Sequence, residues 1–341
     1  MKYTCLSLIL SVACLHSTQA ATDVTSVKTY LVDNVEKVKA ASSDLVKNAE
    51  TYQKIIQAHK GDYKTAYQKA QPEIQKLIQA MQDNYKAIDS FGYETVEAIV
   101  AGVESMAHYD IYLDAGVPKS EGPDDVAPVT LKLSNGKVID QEGALFTYLI
   151  EPALWGGDAR WIVPVDLNND GKLAPRESLP QIELLISASK DADEKIGNLL
   201  RDARAWQPTQ EDCFGALIVM TPTLSDYFED WKQSRYSKEN SGRFSAVSRL
   251  SDMHGIMKSC SVLYDAVNIN VALEDKALAK AIEAGFDNIL DFINQLQERE
   301  NQGKINAAEI DELANQAKEK TDKLLPQIEQ GAALLNLQTK A

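Results

Sequence analysis

The stretch DLNNDGKLAPRE, Asp166 to Glu177, carries the ligand order of an EF-hand-type calcium loop. Such a loop takes oxygens from positions 1, 3, 5, 7, 9 and 12, with Gly at position 6 for the sharp turn and a bidentate Glu at position 12. Asp166, Asn168, Asp170, Gly171 and Glu177 fill positions 1, 3, 5, 6 and 12. Lys172 at position 7 would lend its carbonyl, Leu173 at position 8 would turn inward and pin the loop, and Ala174 at position 9 leaves that place to a water. The same composition also makes a plain polar turn, because Asn, Asp and Gly favour turns for their own reasons. WIVPV before Asp166 reads as extended rather than as an entering helix, and Lys172 and Arg176 dilute the negative charge. The site expected is therefore a structural one of the weak extracellular class, with a Kd of roughly 10⁻⁴ to 10⁻³ M.

A second set lies along YETVEAIVAGVESMAHYDIYLD. Glu97, Glu104 and His108 follow one another at intervals of seven and four residues, which on a continuous helix puts them on one face over about three turns. Val96, Ile99, Val100, Val103 and Met106 around them are apolar, so part of that helix is expected in the core. Carboxylates and an imidazole projecting into a bundle can hold a metal. A Glu four residues from a His also occurs on any solvated helix face, and both readings stand at this point.

The elements that must position these residues are mainly helical. Val24, Val27, Leu31, Val35, Val38 and Leu45 recur at helical spacing in the run from Asp23 to Ala58, which stops before HKGD. YKTAYQKAQPEIQKLIQAMQDNYKAI reads as a second helix interrupted at Pro72, and YETVEAIVAGVESMAHYDIYL as a third ending at Gly116. VPKSEGPDDVAP is then a loop, and VTLKLSNGKVID is two alternating runs around Asn135-Gly136, a hairpin signal. A short helix is expected from Glu142 to Ile150, followed by the aromatic loop LWGGDARWIVPV and the calcium-like loop. From Gln181 the helical period returns and runs to the end. The fold class expected is all-α: two packed helical bundles, over 21–116 and 181–341, with an irregular insert at 117–180 that carries the hairpin and the calcium-like loop.

MKYTCLSLILSVACLHSTQAATD has one basic residue, an apolar run and a small-residue end, which together read as a secretory signal peptide over residues 1–20, cut after Ala20. A lipoprotein cut before Cys14 is the alternative, and Ser11 stands where such signals usually place an aliphatic residue. No other segment has the roughly 18 consecutive apolar residues of a membrane span, so the chain is expected to be secreted or periplasmic with no transmembrane segment. Its net charge of −15 would repel nucleic acid and anionic lipid and is compatible with metal ions as partners. Once Cys5 and Cys14 leave with the leader, Cys213 and Cys260 remain. They form either a disulfide, worth about 4 kcal/mol in the chain-entropy model, or two buried thiols.

The stretch AYQKAQPEIQKLIQAMQDNYKAIDSFG, followed by ESMAHYDIYLDAG, resembles the imelysin-like family. That family includes imelysins, iron-regulated exported proteins and the periplasmic component of the Efe-type iron-uptake system. The resemblance implies an all-helical fold of two bundles and a His-x-x-Glu motif on a helix. His108 falls on the motif histidine, whereas Ile111 stands at the glutamate, so Asp110 or Glu104 would have to substitute. GRFSAVSRLSDMHG is similar to the family's Arg-Tyr-Ser segment through Arg243, Phe244 and Ser245, with Ala246 where the family often has a His. The ligand set this implies is His108 with Glu104, Asp110 and Asp89, and imidazole with carboxylate suits iron or zinc more than copper(I).

Peptidase chemistry, sometimes attributed to the family, needs about three protein ligands and an activated water. Beyond the leader the chain has only His59, His108 and His254, and no His-Glu-x-x-His, so no enzyme is expected. Neither a Gly-x-Ser-x-Gly, a phosphate loop nor a dinucleotide fingerprint occurs. His254, close to Asp252, reads as a helix-interface histidine, His59 as an exposed residue at a turn, and Trp155 and Trp161 as cover for the core. The expectation is an exported binder of iron or another divalent cation, with calcium in the insert. The alternative is a non-catalytic envelope scaffold whose insert docks an envelope protein or a polysaccharide.

Overall fold

The computed structural model describes residues 24–121, 126–133, 135–174, 177–234 and 244–339. The leader with Cys14 and Ala20, and also Arg176 and Arg243, lie outside the described residues. The chain is mostly helical, as expected. Helix α1 (Thr25–Ala58) forms because Val27, Leu31, Val35, Val38, Leu45, Ala49, Tyr52 and Ile56 make one buried stripe at steps of three or four residues, or both in turn. The chain reverses at Lys60 and Gly61, both in the left-handed region (φ 58° and 81°). Asp62 then caps α2 (Tyr63–Ile88), its carboxylate accepting from the Thr65 N–H at 3.1 Å. Inside α2 the backbone leaves helical geometry at Ala70, where the ring of Pro72 crowds the preceding turn.

The third helix is broken. It divides into α3 (Glu97–Gly102) and α4 (Ala107–Asp110), with Val103 extended between them (φ −98°, ψ 111°), and α4 widens into a π-helical turn at Ile111–Ala115. Glu97 therefore shares no continuous helical face with Glu104 and His108. Gly102 lies where α3 meets α7 (Gln210–Met220): a Cβ there would come within 2.5 Å of the Ala216 Cα, so only glycine permits that approach.

The hairpin is present. Strands β1 (Pro128–Lys132) and β2 (Val138–Glu142) pair antiparallel with Leu131 opposite Ile139, and Gly136 takes φ 85° in the turn. The short helix lies later than expected: a π-helical turn at Phe146–Ile150 runs into α5 (Glu151–Trp155). Strands β3 (Ile162–Pro164) and β4 (Ser178–Pro180) then clamp the two ends of the calcium-like loop.

The remaining helices are α6 (Ile182–Ala205), α8 (Tyr227–Gln233), α9 (Arg249–Glu274), α10 (Lys276–Asn301) and α11 (Ile310–Leu334). Helix α6 lies on α1, which also packs on α2, whereas α3 packs on α7 and α9, and α9, α10 and α11 lie together. The buried apolar side chains of both groups form one continuous core. No helix among the described residues is long and apolar enough to cross a membrane.

Cys213 on α7 and Cys260 on α9 are buried free thiols, so the disulfide alternative gives way. Burial pushes both thiols up to about 12, which leaves almost no thiolate to react. In protein lacking residues 1–20, a thiol reagent should find nothing to modify in the folded state and two groups after denaturation without reductant. Finding no thiol in the denatured protein would restore the disulfide.

Candidate functional site

Among the described residues, seven carboxylates are turned away from water: Asp89, Glu94, Glu97, Asp110, Asp114, Glu151 and Asp252, none more than 8% exposed. They come from element ends and turns. Asp89 follows α2, Glu94 sits in the 3-10 turn Tyr93–Thr95, Glu97 opens α3, Asp110 ends α4, Asp114 lies in the π-helical turn after it, Glu151 opens α5, and Asp252 is in the first turn of α9. Two glycines allow this convergence. A Cβ at Gly92 would lie 2.3 Å from the Ala87 carbonyl oxygen, so glycine permits the tight turn that carries Glu94 back beside Asp89. Gly255 lets α9 settle on the Glu94 backbone, where a Cβ would come within 3.1 Å.

Among the described residues the buried cation is Arg249, on α9. Its guanidinium is 3.1 Å from Glu94, 3.2 Å from Asp252 and 3.9 Å from the partly exposed Asp230. It also lies against the rings of Tyr227 and Phe244, at 4.5 and 4.6 Å from their centres, a favourable place for a desolvated guanidinium.

Donors reach some of the carboxylate oxygens. Tyr227 donates to Glu97 Oε1 (2.8 Å), Tyr93 to Asp110 Oδ1 (2.9 Å), Tyr85 to Glu151 Oε2 (3.2 Å) and Ser90 to Asp89 Oδ2 (3.3 Å), while the Ser245 N–H donates to Glu151 Oε1. Four buried oxygens, Asp89 Oδ1, Glu94 Oε2, Glu97 Oε2 and Asp252 Oδ1, accept nothing from the described residues. Buried acceptors are nearly always satisfied in native proteins, so four in one cluster call for a cause.

Burial and neighbouring carboxylates push Asp89, Glu94, Asp114, Glu151 and Asp252 toward the neutral form. Asp89 and Glu94 are driven well above the usual carboxylate range, by burial first and then by neighbouring carboxylates. Burial and then Glu97 push Asp114 up to about 8; burial raises Glu151 to about 7 against the pull of the Ser245 N–H; and burial raises Asp252 to about 6 although Arg249 opposes it.

The oxygens gather in two places. Asp89, Glu94 and Asp114 each offer one within 4.8 Å of the other two, and so do Glu97, Asp110 and Asp114. Without nitrogen or sulfur donors, such sets suit hard cations.

The residues expected from sequence divide between this cluster and the surface. Asp89 and Asp110 are inside, one in each triad. Glu104 and His108 are exposed, and the His108 ring rests against Tyr109 at 4.1 Å. The structure does not bring these two to Asp89 and Asp110. His254 is half-buried, and burial followed by Lys258 lowers its pKa. Trp161 is buried with its indole N–H on the Tyr148 carbonyl (3.0 Å), and Trp155 packs on Tyr85 (5.4 Å) while lining a groove of about 350 Å³. Glu94, Asp114, Glu151 and Arg249 belong to this buried cluster and were not singled out from the sequence. A legible signal existed for two of them, since Glu151 is a lone charge inside FTYLIEPALW and Asp114 closes the apolar turn IYL.

The calcium-like loop is held by its own backbone. Asp166 accepts from the N–H groups of Asp170 (3.2 Å) and Gly171 (2.9 Å), Asn168 from Asp170 (2.8 Å), and Asp170 from Lys172 (2.8 Å). Glu177 Oε2 accepts from the Ala174 N–H at 2.9 Å. Asp166, Asp170 and Glu177 are not among the groups of carboxylates gathered within 4.8 Å. Leu173 is 62% exposed instead of turned inward; among the described loop residues, Leu167 packs against the core. Compared with models of known protein families and with curated proteins, the chain matches none.

Proposed function

We propose that this protein binds hard metal cations, without catalysing a reaction, in the buried carboxylate cluster beside Arg249. The observation that carries this reading is the set of four buried carboxylate oxygens that accept no hydrogen bond from the described residues. Seven buried carboxylates with one guanidinium must either keep most of their protons or share a cation, and a cation in the two triads would satisfy the oxygens of Asp89, Glu94 and Glu97 directly, Asp252 lying in neither triad. The all-oxygen donor set favours manganese, calcium, magnesium or iron, and disfavours zinc and copper. Together with the secretory leader read from the sequence and the imelysin-like resemblance, this supports a role in uptake or storage of such a cation, iron included. The loop at 166–177 completes the reading as a structural calcium site, its turn already formed by the Asp166 carboxylate.

Calorimetric titration of metal-stripped protein with manganese tests this. Glu97→Gln is expected to weaken binding at least tenfold, about 1.4 kcal/mol, and His108→Ala to leave it unchanged. The reverse pattern would move the site to the surface histidine. Glu177→Gln should abolish a calcium-induced rise in melting temperature of a few degrees without altering manganese binding. Equal melting of the unmodified protein in calcium and in chelator would reduce the loop to a polar turn.

A further inference from the structure

We propose that the cluster is a two-cation centre bridged by the carboxylate of Asp114. The inference rests on the cation reading above and adds its nuclearity. Asp114 is common to both triads, Asp89–Glu94–Asp114 and Glu97–Asp110–Asp114, and the five residues fall into two groups rather than one. A single ion with bonds of about 2.0–2.4 Å can only take ligand atoms within about twice that distance of one another, which each triad satisfies separately. Asp114 has two oxygens, one for each ion, and a carboxylate used this way holds two cations about 3.5–4 Å apart.

Independent support comes from the orphaned oxygens, which occur on both sides of Asp114. Asp89 Oδ1 and Glu94 Oε2 belong to the first triad and Glu97 Oε2 to the second, all on side chains more than nine-tenths buried. One ion in either triad would leave the other triad's acceptors unsatisfied. Orientation is also provided twice: Ser90 holds Asp89 on one side, and Tyr93 and Tyr227 hold Asp110 and Glu97 on the other. Such outer contacts fix the orientation of a carboxylate that serves as a metal ligand. Charge favours the same occupancy. With Arg249 and the seven carboxylates ionised, two divalent ions leave a formal charge of −2, whereas one divalent ion leaves −4 and so demands more protons.

Electron paramagnetic resonance of metal-stripped protein titrated with manganese(II) decides the matter. The unmodified protein should take up two ions per chain and show the exchange-coupled spectrum of a carboxylate-bridged pair. Asp89→Asn and Glu97→Gln should each leave one ion with an uncoupled spectrum, and Asp114→Asn should abolish coupling and weaken both sites at least tenfold. Two uncoupled ions, or one ion, in the unmodified protein would overturn the bridge and leave the cation reading standing; no bound ion would overturn both. Asn and Gln match the shape of the protonated acids, so the metal-free variants should keep their helical circular dichroism. If one fails to fold, the stoichiometry and spectrum of the unmodified protein still distinguish a bridged pair from separate or single ions.

Discussion

Arg249→Met is expected to destabilise the protein by about 3–5 kcal/mol, the range for removing one partner of a buried ion pair. Methionine retains most of the apolar contact of the arginine stem, so the loss reports on charge more than on packing. Glu94 and Asp252 lose the guanidinium at 3.1 and 3.2 Å, and Tyr227 and Phe244 lose the cation between their rings. For a chain of this size the melting temperature should fall by roughly 4–7 °C. Lowering the pH to 5 should recover part of the loss, because the remaining carboxylates can then be neutral. Urea and thermal unfolding of the two proteins at pH 5 and pH 8 measure this. A loss below about 1 kcal/mol at both pH values would mean that the carboxylates are already neutral in the native state and that Arg249 does not hold them.

The parts of this fold legible in the sequence are those fixed by local chemistry. The stripe from Val27 to Ile56 specifies α1 because a 3.6-residue period leaves no other way to bury it. Asn135-Gly136 marks the hairpin turn because glycine supplies the left-handed backbone there, and Pro72 marks the kink because its ring cannot follow the preceding turn. The break at Val103 has no such mark. The apolar period runs through it, and α3 ends where Gly102 meets Ala216, more than a hundred residues away in the chain. The return of α6 onto α1 is likewise a long-range choice between apolar faces that look alike in sequence.

The site was half legible for the same reason. Periodicity says which way a side chain points inside a helix, but Asp89, Glu94 and Asp114 lie at ends and turns where it says nothing. Glu104 and His108 have the residue types of a metal site and lie on the surface; Asp89 and Asp110 enter the cluster, beside partners that spacing does not reveal. Glu151 could have been found from one physical consideration, that a single carboxylate in an apolar run must either break the element or be buried with a partner.

Metal-free protein is expected to be more stable at pH 5 than at pH 8, opposite to the usual behaviour of carboxylates engaged in salt bridges. Asp114, Glu151 and Asp252 have their folded-state values raised to about 8, 7 and 6, against ordinary values of 3.8, 4.5 and 3.8. Between those limits the native state holds protons that the unfolded chain has released, so stability falls as pH rises. The contribution is fully present below about pH 4 and is lost progressively as pH passes through 6, 7 and 8. Each tenfold gain in proton affinity on folding is worth about 1.4 kcal/mol, so the three groups together make the loss on the order of several kcal/mol. Carboxylates with depressed values, such as Asp193 and Asp202, act in the other direction only at more acid pH and leave the interval from 5 to 8 clear. Saturating manganese should reverse the trend, since its ligands must be deprotonated to bind: the metal-induced rise in melting temperature should be largest at pH 8 and vanish near pH 5. General self-repulsion in a chain of net charge −15 would also favour the lower pH, and Asp114→Asn separates the two causes. That variant should lose the part of the slope centred near pH 8 while the repulsion of the remaining surface persists. Metal-free stability that rises from pH 5 to pH 8 in the unmodified protein would show the cluster ionised and compensated from within, and would leave it no need of a cation.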